Sequence, residues 1–221
     1  MRGCTMANLR DKAYQSIKDK ILSGDIVPNT FLNEAQLIRE LDVSRTPIRE
    51  ALSRLEQEGL VKVLPKKGVL VRALTVSEIS QGFEARMLLE PYIIETYMKF
   101  IDRKELQLIK RKSQGFVGAP PDAAEFAALD DHLHRLIADA CPNSFIRDTL
   151  NKVFDQNIRI RVFSERDLYE RHIEAAREHI TLIDFILKND AVKAKEAMQY
   201  HLTTSRDTEM GALRDKEISA W

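Results

Sequence analysis

Apolar residues recur at helical spacing over the first part of the chain, which predicts three short helices. The stripe of the first helix consists of Leu9, Ala13, Ile17 and Ile21. A second helix is predicted to begin at Asn33, a good cap, with Gln36 three residues on. A third is predicted to be capped by Ser44 and to end at Gly59. Its apolar face consists of Ile48, Ala51, Leu52 and Leu55.

Two short alternating runs follow the third helix, at residues 60–63 and 69–72, with Pro65-Lys66-Lys67-Gly68 between them. Alternation of apolar and polar residues predicts strands, and the residues between them predict a hairpin turn rich in cations. Three helices and then a hairpin is the order of a winged helix-turn-helix domain. We assign this domain to residues 1–75.

The pattern from residue 76 to 221 is helical and predicts an all-α bundle of six helices, so that the fold as a whole is mainly α. Thr75 and Glu78 form a capping box that opens a helix reaching Phe100, which Pro91 is expected to kink rather than end. A second helix is predicted to start at Asp102. A loop is predicted from Gly115, Gly118 and Pro120-Pro121. Four further helices are expected at roughly 122–140, 144–162, 168–188 and 190–212.

Charge changes the picture only when it is resolved by region. The chain has 221 residues, with 34 basic and 34 acidic side chains, and a neutral total argues against a nucleic-acid partner. Residues 1–75 carry 13 Lys and Arg against 9 Asp and Glu, a net charge of +4, whereas residues 76–221 carry 21 against 25, a net charge of −4. A polyanion is therefore expected at the first domain.

The composition is that of a globular protein, with 44% hydrophobic and 31% charged residues. Only two cysteines are present, Cys4 and Cys141, which indicates a reducing compartment. The sequence has no run of 18 apolar residues and no basic-then-apolar leader, so we expect neither a membrane span nor a secretion signal. A cytoplasmic location is the expectation.

The third helix carries the candidate DNA-reading side chains. Its first turns present Arg45, Thr46 and Arg49, and a helix in the major groove reads bases with residues near its N-terminus. Arginine can bond guanine with two hydrogen bonds, and threonine can reach a base or a phosphate. On the wing, Lys66-Lys67-Gly68 could lie along the minor groove. The alternative, ordinary solvated charges, is weakened by the helix-turn-helix spacing.

Residues 41–52, LDVSRTPIREAL, and 54–61, RLEQEGLV, resemble the DNA-reading segment of the GntR family of bacterial transcription regulators. The similarity continues through residues 65–69. The resemblance implies operator contacts by Arg39, Arg45, Thr46, Arg49 and Gly68. Asp42 stands where glycine is usual, a departure that affects the geometry of the turn.

Four residues of the second domain have the character of metal ligands. Asp130 and His134 are four residues apart on one predicted helix and therefore share a face. His179 and His201 fall on the last two helices, and each could point inward. One carboxylate and three imidazoles suit Zn²⁺, Ni²⁺, Mn²⁺ or Fe²⁺ and leave positions open for water or a ligand. Capping or surface roles are the alternative.

Two other histidines compete for that site. His132 is two residues from His134, points to a different face and is expected in solvent. His172 lies seven residues before His179 on the same face, so periodicity alone does not exclude it.

The segment Asp130-x-x-Leu133-His134 resembles the Asp-x-x-Phe-His motif of the FCD domain, the effector-binding half of FadR-type GntR regulators. Glu178-His179 followed by Asp190, Ala194 and His201 is similar to the closing pattern of that domain. The resemblance implies that the four candidate ligands bind a metal ion that helps to hold a small carboxylate effector. It also makes Arg86 a candidate partner for the effector carboxylate, with an internal ion pair as the alternative.

Leucine in place of the usual aromatic residue at position 133 alters packing rather than ligation. Six helices rather than seven resemble the VanR-like branch of the family.

The function expected from these features is a ligand-responsive transcription repressor of a metabolic operon. It would act as a homodimer on an inverted-repeat operator in double-stranded DNA and sense a small carboxylate at a metal-containing pocket. It would not be an enzyme. The alternatives are a metal-dependent enzyme that uses the Asp/His cluster and an architectural DNA-binding protein without a ligand.

Overall fold

A computed structural model describes residues 2–119, 121–164 and 169–219. The chain folds into two compact units, Met1–Leu74 and Thr75–Trp221. The expected fold class is confirmed, because a winged helix-turn-helix unit precedes an all-helical one. Pro120 and residue 168, on which a predicted loop and a predicted helix start fall, lie outside the described residues, as do the chain ends at residues 1 and 221. No helix among the described residues is both long and apolar enough to cross a membrane.

The first unit consists of three helices and a three-stranded antiparallel sheet. Its elements are α1 Arg2–Leu22, β1 Phe31–Leu32, α2 Glu34–Leu41, α3 Arg45–Gln57, β2 Val61–Leu64 and β3 Gly68–Val71. The strand order is β1-β3-β2, with Phe31 opposite Leu70 and Val63 opposite Val69. The sequence predicted only a hairpin, because a strand of two residues shows no periodicity.

The helix caps and a left-handed residue in the turn fix the local backbone of the helix-turn-helix. The Asn33 side chain accepts a hydrogen bond from the backbone of Gln36 and so caps α2 as predicted. Asp42 has φ of +50°, the left-handed region, which explains why glycine is usual there and why aspartate is tolerated. Ser44 occupies the cap of α3 without a side-chain hydrogen bond. The apolar face of α3 is buried against α1, with Ile17, Ile48 and Leu55 fully inaccessible.

The second unit is all-helical over its described residues. Its elements are α4 Val76–Tyr97, a short 3₁₀ turn Met98–Phe100, α5 Arg103–Gly118, α6 Ala123–Asp139, α7 Ser144–Ser164, α8 Tyr169–Leu187 and α9 Ala191–Ser219. The capping box of Thr75 and Glu78 is present, and α4 continues through Pro91. Helix α4 packs against α9, α5 against α8, and α6 against α7.

The predicted loop at Gly115 and Gly118 is wrong, since α5 continues to Gly118. Glycine costs a helix about 1 kcal/mol relative to alanine. Burial outweighs this cost, because α5 places Leu106, Ile109 and Phe116 in the core.

Candidate functional site

The predicted DNA contacts all lie on the exposed surface of the first unit. The helix α3 buries its apolar face, so its opposite face presents Arg45, Thr46 and Arg49 to solvent. Arg39 at the end of α2 is exposed as well, as are Lys66, Lys67 and Gly68 at the turn between β2 and β3. Gly68 has φ of +108°, a conformation that side chains strongly disfavour.

The arginines of α3 have different surroundings. Arg49 has a 65% exposed side chain, and its Nε lies 3.5 Å from a carboxylate oxygen of Glu34. The guanidinium of Arg54 stacks on the ring of Tyr14, 3.7 Å from its centre, and pairs with Glu58. Arg54 therefore links α3 to α1, whereas Arg49 remains available at the surface.

The four predicted metal ligands come together in the core of the second unit. Helix α6 supplies Asp130 and His134 one turn apart, α8 supplies His179, and α9 supplies His201. Each is at most 2% exposed, and one ligand atom from each lies within 4.8 Å of those of the other three. Spacing along the chain predicted only that Asp130 and His134 share a helix face. The packing of the helices brings His179 and His201 to them.

The distances between these atoms suit a common ion. The Nε2 atoms of His134 and His201 are 3.2 Å apart, and Nε2 of His179 lies 3.2 Å from Oδ1 of Asp130. The Nε2 atoms of His134 and His201 lie 3.6 and 3.7 Å from oxygens of the same aspartate. Two ligands each 2.0–2.1 Å from a tetrahedral zinc ion would be about 3.3 Å apart. The residues therefore fit a divalent metal ion in both chemistry and spacing.

Glu90 contacts Nδ1 of His134, on the side of the ring opposite the nitrogen that faces the cluster. This carboxylate is fully buried on α4; it lies 2.5 Å from Nδ1 of His134 and accepts a hydrogen bond from Nε of Arg86 at 2.6 Å. Burial raises the pKa of Glu90, but Arg86 and His134 outweigh that effect and hold its pKa at about 2. The ionised carboxylate orients the imidazole with Nε2 towards the cluster.

Glu178 contacts Nδ1 of His201 in the same way. Its Oε2 lies 2.7 Å from Nδ1 of His201, and Arg171 donates two hydrogen bonds to the carboxylate at 2.6 and 2.8 Å. Burial raises the pKa of Glu178, and the hydrogen bonds from His201 and Arg171 reverse this and bring its pKa to about 2. Buried carboxylates behind metal-binding histidines are a common feature of metal sites.

The environment acts differently on two of the imidazoles. Burial lowers the pKa of His201 to about 3, and repulsion from His179 and His134 adds to this, so the ring is neutral and can offer a lone pair. Burial also lowers the pKa of His134, but attraction to the Glu90 carboxylate opposes this effect, and the pKa is raised overall. Metal binding at His134 would compete with protonation of the ring, because the metal needs the neutral imidazole.

A small cavity adjoins the cluster, lined in part by Arg86, His134, Phe154 and Asn157. Arg86 is 1% exposed and forms the ion pair with Glu90 that the sequence left open as an alternative. Its Nη2 nevertheless has no hydrogen-bond partner among the described residues. The NH₂ group at Nη2 therefore remains able to donate to a ligand.

The structure places neither of the two competing histidines in the cluster of candidate ligands. His132 is exposed and lies 3.7 Å from Glu105, as its position predicted. His172 is buried but stacks on Phe126, with ring centres 4.4 Å apart, and does not belong to the group of four. Sequence reasoning missed Glu90 and Arg171. Glu90 reaches from α4 to His134 on α6, a contact with no spacing signature, whereas Arg171 bonds to Glu178 seven residues further along α8.

Two family matches cover most of the chain. Residues 9–71 match the gntR family of bacterial regulatory proteins, and residues 81–204 match the FCD domain. The gluconate operon transcriptional repressor of Bacillus subtilis (strain 168) is 27% identical over 205 residues, which cover 88% of this chain and 82% of the repressor.

Solved structures show the same architecture. A GntR transcriptional regulator from Rhodococcus sp. RHA1 superposes with a TM-score of 0.81 at 20% identity, over 92% of this chain and 98% of that one. The Zn²⁺-bound FCD domain of the regulator TM0439 superposes with a TM-score of 0.53 at 26% identity, over 64% of this chain and 97% of that domain.

These matches settle the class of protein. Its relatives are transcription regulators and not enzymes, so the alternative of a metal-dependent enzyme is excluded. The winged helix-turn-helix and the helical unit correspond to the two matched regions. The chain therefore belongs to the GntR family of bacterial transcription regulators and carries an FCD domain after its DNA-binding domain.

Proposed function

We propose that this regulator is a repressor that binds an inverted-repeat operator as a homodimer and responds to a small carboxylate held beside a divalent metal ion. The observation that carries the proposal is the convergence of Asp130, His134, His179 and His201 inside the FCD domain. Residues 1–75 would bind DNA and residues 76–221 the effector. The repressor role is supported by the similarity to the gluconate operon repressor. The six α-helices in the described part of the second unit favour the VanR-like branch, and a protein that acts on bacterial operators belongs in the cytoplasm.

The DNA-binding role rests on side chains that are exposed and positively charged. Arg45, Thr46 and Arg49 would enter the major groove from the first turns of α3, with Arg39 beside them. Lys66 and Lys67 would follow the backbone from the wing, and Gly68 would let the chain approach closely. The two-fold symmetry of a homodimer matches that of an inverted repeat.

The metal site rests on the chemistry of its donors. Three imidazoles and one carboxylate suit Zn²⁺, Ni²⁺, Mn²⁺ or Fe²⁺, and the Zn²⁺-bound FCD relative makes zinc the first ion to test. A bound divalent ion would supply a Lewis-acidic position for an effector oxygen. Glu90 and Glu178 would hold two of the imidazoles in place.

The effector role of Arg86 rests on its unsatisfied donor. Its guanidinium carbon lies 5.5 Å from the ring centres of both Phe83 and Phe154, and its Nη2 has no hydrogen-bond partner among the described residues. A buried guanidinium donor without an acceptor is costly, and a carboxylate would satisfy it. An effector that binds one arrangement of the domain better than another shifts the population that fits DNA.

The test uses the purified protein and DNA duplexes that the protein selects from a pool of random sequences. We expect the selected sites to be inverted repeats. The chelator-treated and Zn²⁺-loaded forms are then assayed for operator affinity with acetate, pyruvate, lactate and gluconate. At least one acid should change the affinity of the Zn²⁺-loaded form.

Two variants separate the parts of the proposal. His134→Ala combined with His179→Ala should abolish zinc binding, as measured by elemental analysis. Arg86→Lys keeps the positive charge beside Glu90 but loses the forked donor, so it should retain zinc and lose the response to the acid. Equal zinc in wild type and double variant would overturn the metal site. An unchanged acid response in Arg86→Lys would overturn the effector role.

A further inference from the structure

A surface groove runs between α8 and α9 and shares no residue with the cavity beside Arg86. Its volume is about 480 Å³. Helix α8 contributes Thr181 and Phe185 to its walls, and α9 contributes Ala197 and Tyr200, which is 65% exposed. A concave apolar groove beside an exposed tyrosine is typical of a surface that contacts another protein.

The α8–α9 groove carries one unpaired charge of each sign. Arg177 on α8 and Glu196 on α9 are both exposed, and within the described part of the chain neither side chain forms an ion pair or a hydrogen bond. Lys193 and Glu178, the other charged residues of its walls, each have an oppositely charged neighbour. A partner that fits this groove must therefore present an anion to Arg177 and a cation to Glu196.

The two unpaired charges lie at different heights in the groove. Arg177 precedes Glu178, whose carboxylate contacts His201 on the facing helix. Because Glu196 lies five residues before His201, the two charges are about 7–8 Å apart along the groove at the helical rise of 1.5 Å per residue. They do not pair within one chain, but each can face its opposite on another molecule.

A contact between two copies of the chain supplies both charges at once. In a two-fold contact, residue i of one copy faces residue j of the other, and residue j faces residue i. If Arg177 of each copy faces Glu196 of the other, one contact forms two ion pairs. The exposed ring of Tyr200 then enters the groove of the other copy, where the small side chain of Ala197 leaves room for it.

We propose that the α8–α9 groove and Tyr200 form the interface through which two copies of this chain associate. The inference rests on the homodimer of the proposed function and deepens it, since it names the surface that joins the two copies. Glu178 lies in the groove wall and contacts His201, so the interface lies one side chain away from the proposed metal site.

The test reverses the two charges separately in the purified protein. In a dimer of Arg177→Glu, like charges meet at both copies of Glu196, and in a dimer of Glu196→Arg they meet at both copies of Arg177. We expect each variant alone to dimerise at least about tenfold more weakly than wild type in sedimentation velocity, because repulsion replaces two ion pairs. Circular dichroism checks that both variants keep the helical content of wild type.

A mixture of the two variants tests whether the charges face each other between copies. In a mixed dimer, the glutamate introduced at position 177 faces the arginine introduced at position 196, and the two original residues face each other. Both ion pairs are then restored, so the mixed dimer should form with a Kd within about threefold of that of wild type. Native mass spectrometry separates it from the two homodimers, because the variants differ in mass.

Tyr200→Ser and Tyr92→Ser form a matched pair of variants. Each removes an exposed aromatic ring, but Tyr92 lies on α4, outside the α8–α9 groove. We expect Tyr200→Ser to weaken the dimer and Tyr92→Ser to leave it unchanged. A dimer weakened by Tyr92→Ser and not by Tyr200→Ser would overturn the inference.

The outcomes separate this inference from the homodimer itself. If both charge variants dimerise as well as wild type, the homodimer stands and the α8–α9 groove is not its interface. If both variants are weakened but form no mixed dimer, the two charges do not face each other and the inference is wrong. If wild type stays monomeric at every concentration, the homodimer of the proposed function fails and the inference fails with it.

Discussion

Replacement of Glu178 by glutamine tests whether the carboxylates behind the histidines orient the ligands of the proposed metal site. Glutamine has the same shape but no charge, so the bond to Nδ1 of His201 at 2.7 Å and the paired bonds from Arg171 lose their ionic character. The imidazole becomes less basic and less firmly oriented. We expect Glu178→Gln to fold and to bind Zn²⁺ more weakly.

The size of the effect follows from the behaviour of such partners in other metal sites, where their loss costs 10–100-fold in affinity. At a free zinc concentration of about 100 times the wild-type dissociation constant, binding stabilises the wild type by about 2.7 kcal/mol. A thirtyfold loss of affinity would reduce this to about 0.9 kcal/mol. For a chain of this size, the zinc-induced rise in melting temperature should then fall by roughly 4–7 °C.

Glu174→Gln is the matched control. Glu174 lies on the same helix and 3.6 Å from Arg171, but its side chain is 60% exposed. Both variants are treated with chelator, titrated with Zn²⁺ against a competing dye, and melted with and without the ion. Equal zinc affinity in Glu178→Gln and wild type would refute the reasoning, as would an equal loss in the control.

Three further predictions concern DNA binding and stability. Arg45→Ala should reduce discrimination between operator and mutated operator by roughly 1–3 kcal/mol in a fluorescence titration, and an unchanged preference would contradict a base contact. Lys66→Ala should lower the slope of log affinity against log salt by about 0.9, whereas an unaltered slope would argue against a contact between wing and phosphate. Thr75→Ala should lower the free energy of unfolding by about 1 kcal/mol in urea, because the capping box that opens α4 is lost; no change would mean that solvent caps the helix equally well.

The fold was predictable where one face of an element is buried. Helices α1 and α3 repeat their apolar residues every three or four positions because that face meets the core, and the pattern is visible in the sequence. Strand β1 has two residues and no period, and it exists because β3 offers it an edge. Helix α5 continues through Gly115 because burial of Phe116 outweighs a local preference.

The candidate site was predictable where its residues are close in sequence or follow a family motif. Asp130 and His134 share a face of α6 by spacing alone, and the resemblance to FCD domains supplied His179 and His201. The bond between His134 and Glu90 joins residues 44 positions apart, and only the packing of α4 against α6 brings them together. Pairs of this kind leave no periodic signal.

The place of Arg86 and Glu90 bears on how a ligand would affect DNA binding. Both residues lie on α4, which begins five residues after the last strand of the wing ends at Val71. An acid bound to Nη2 of Arg86 shares the guanidinium with Glu90, which accepts from Nε, and Glu90 in turn orients His134. On the proposed function, effector and metal therefore share one chain of hydrogen bonds on the helix nearest in sequence to the DNA-binding unit. Thermodynamic linkage makes this coupling reciprocal. If an acid changes the affinity of the protein for its operator by a given factor, the operator must change the affinity of the protein for that acid by the same factor and in the same direction.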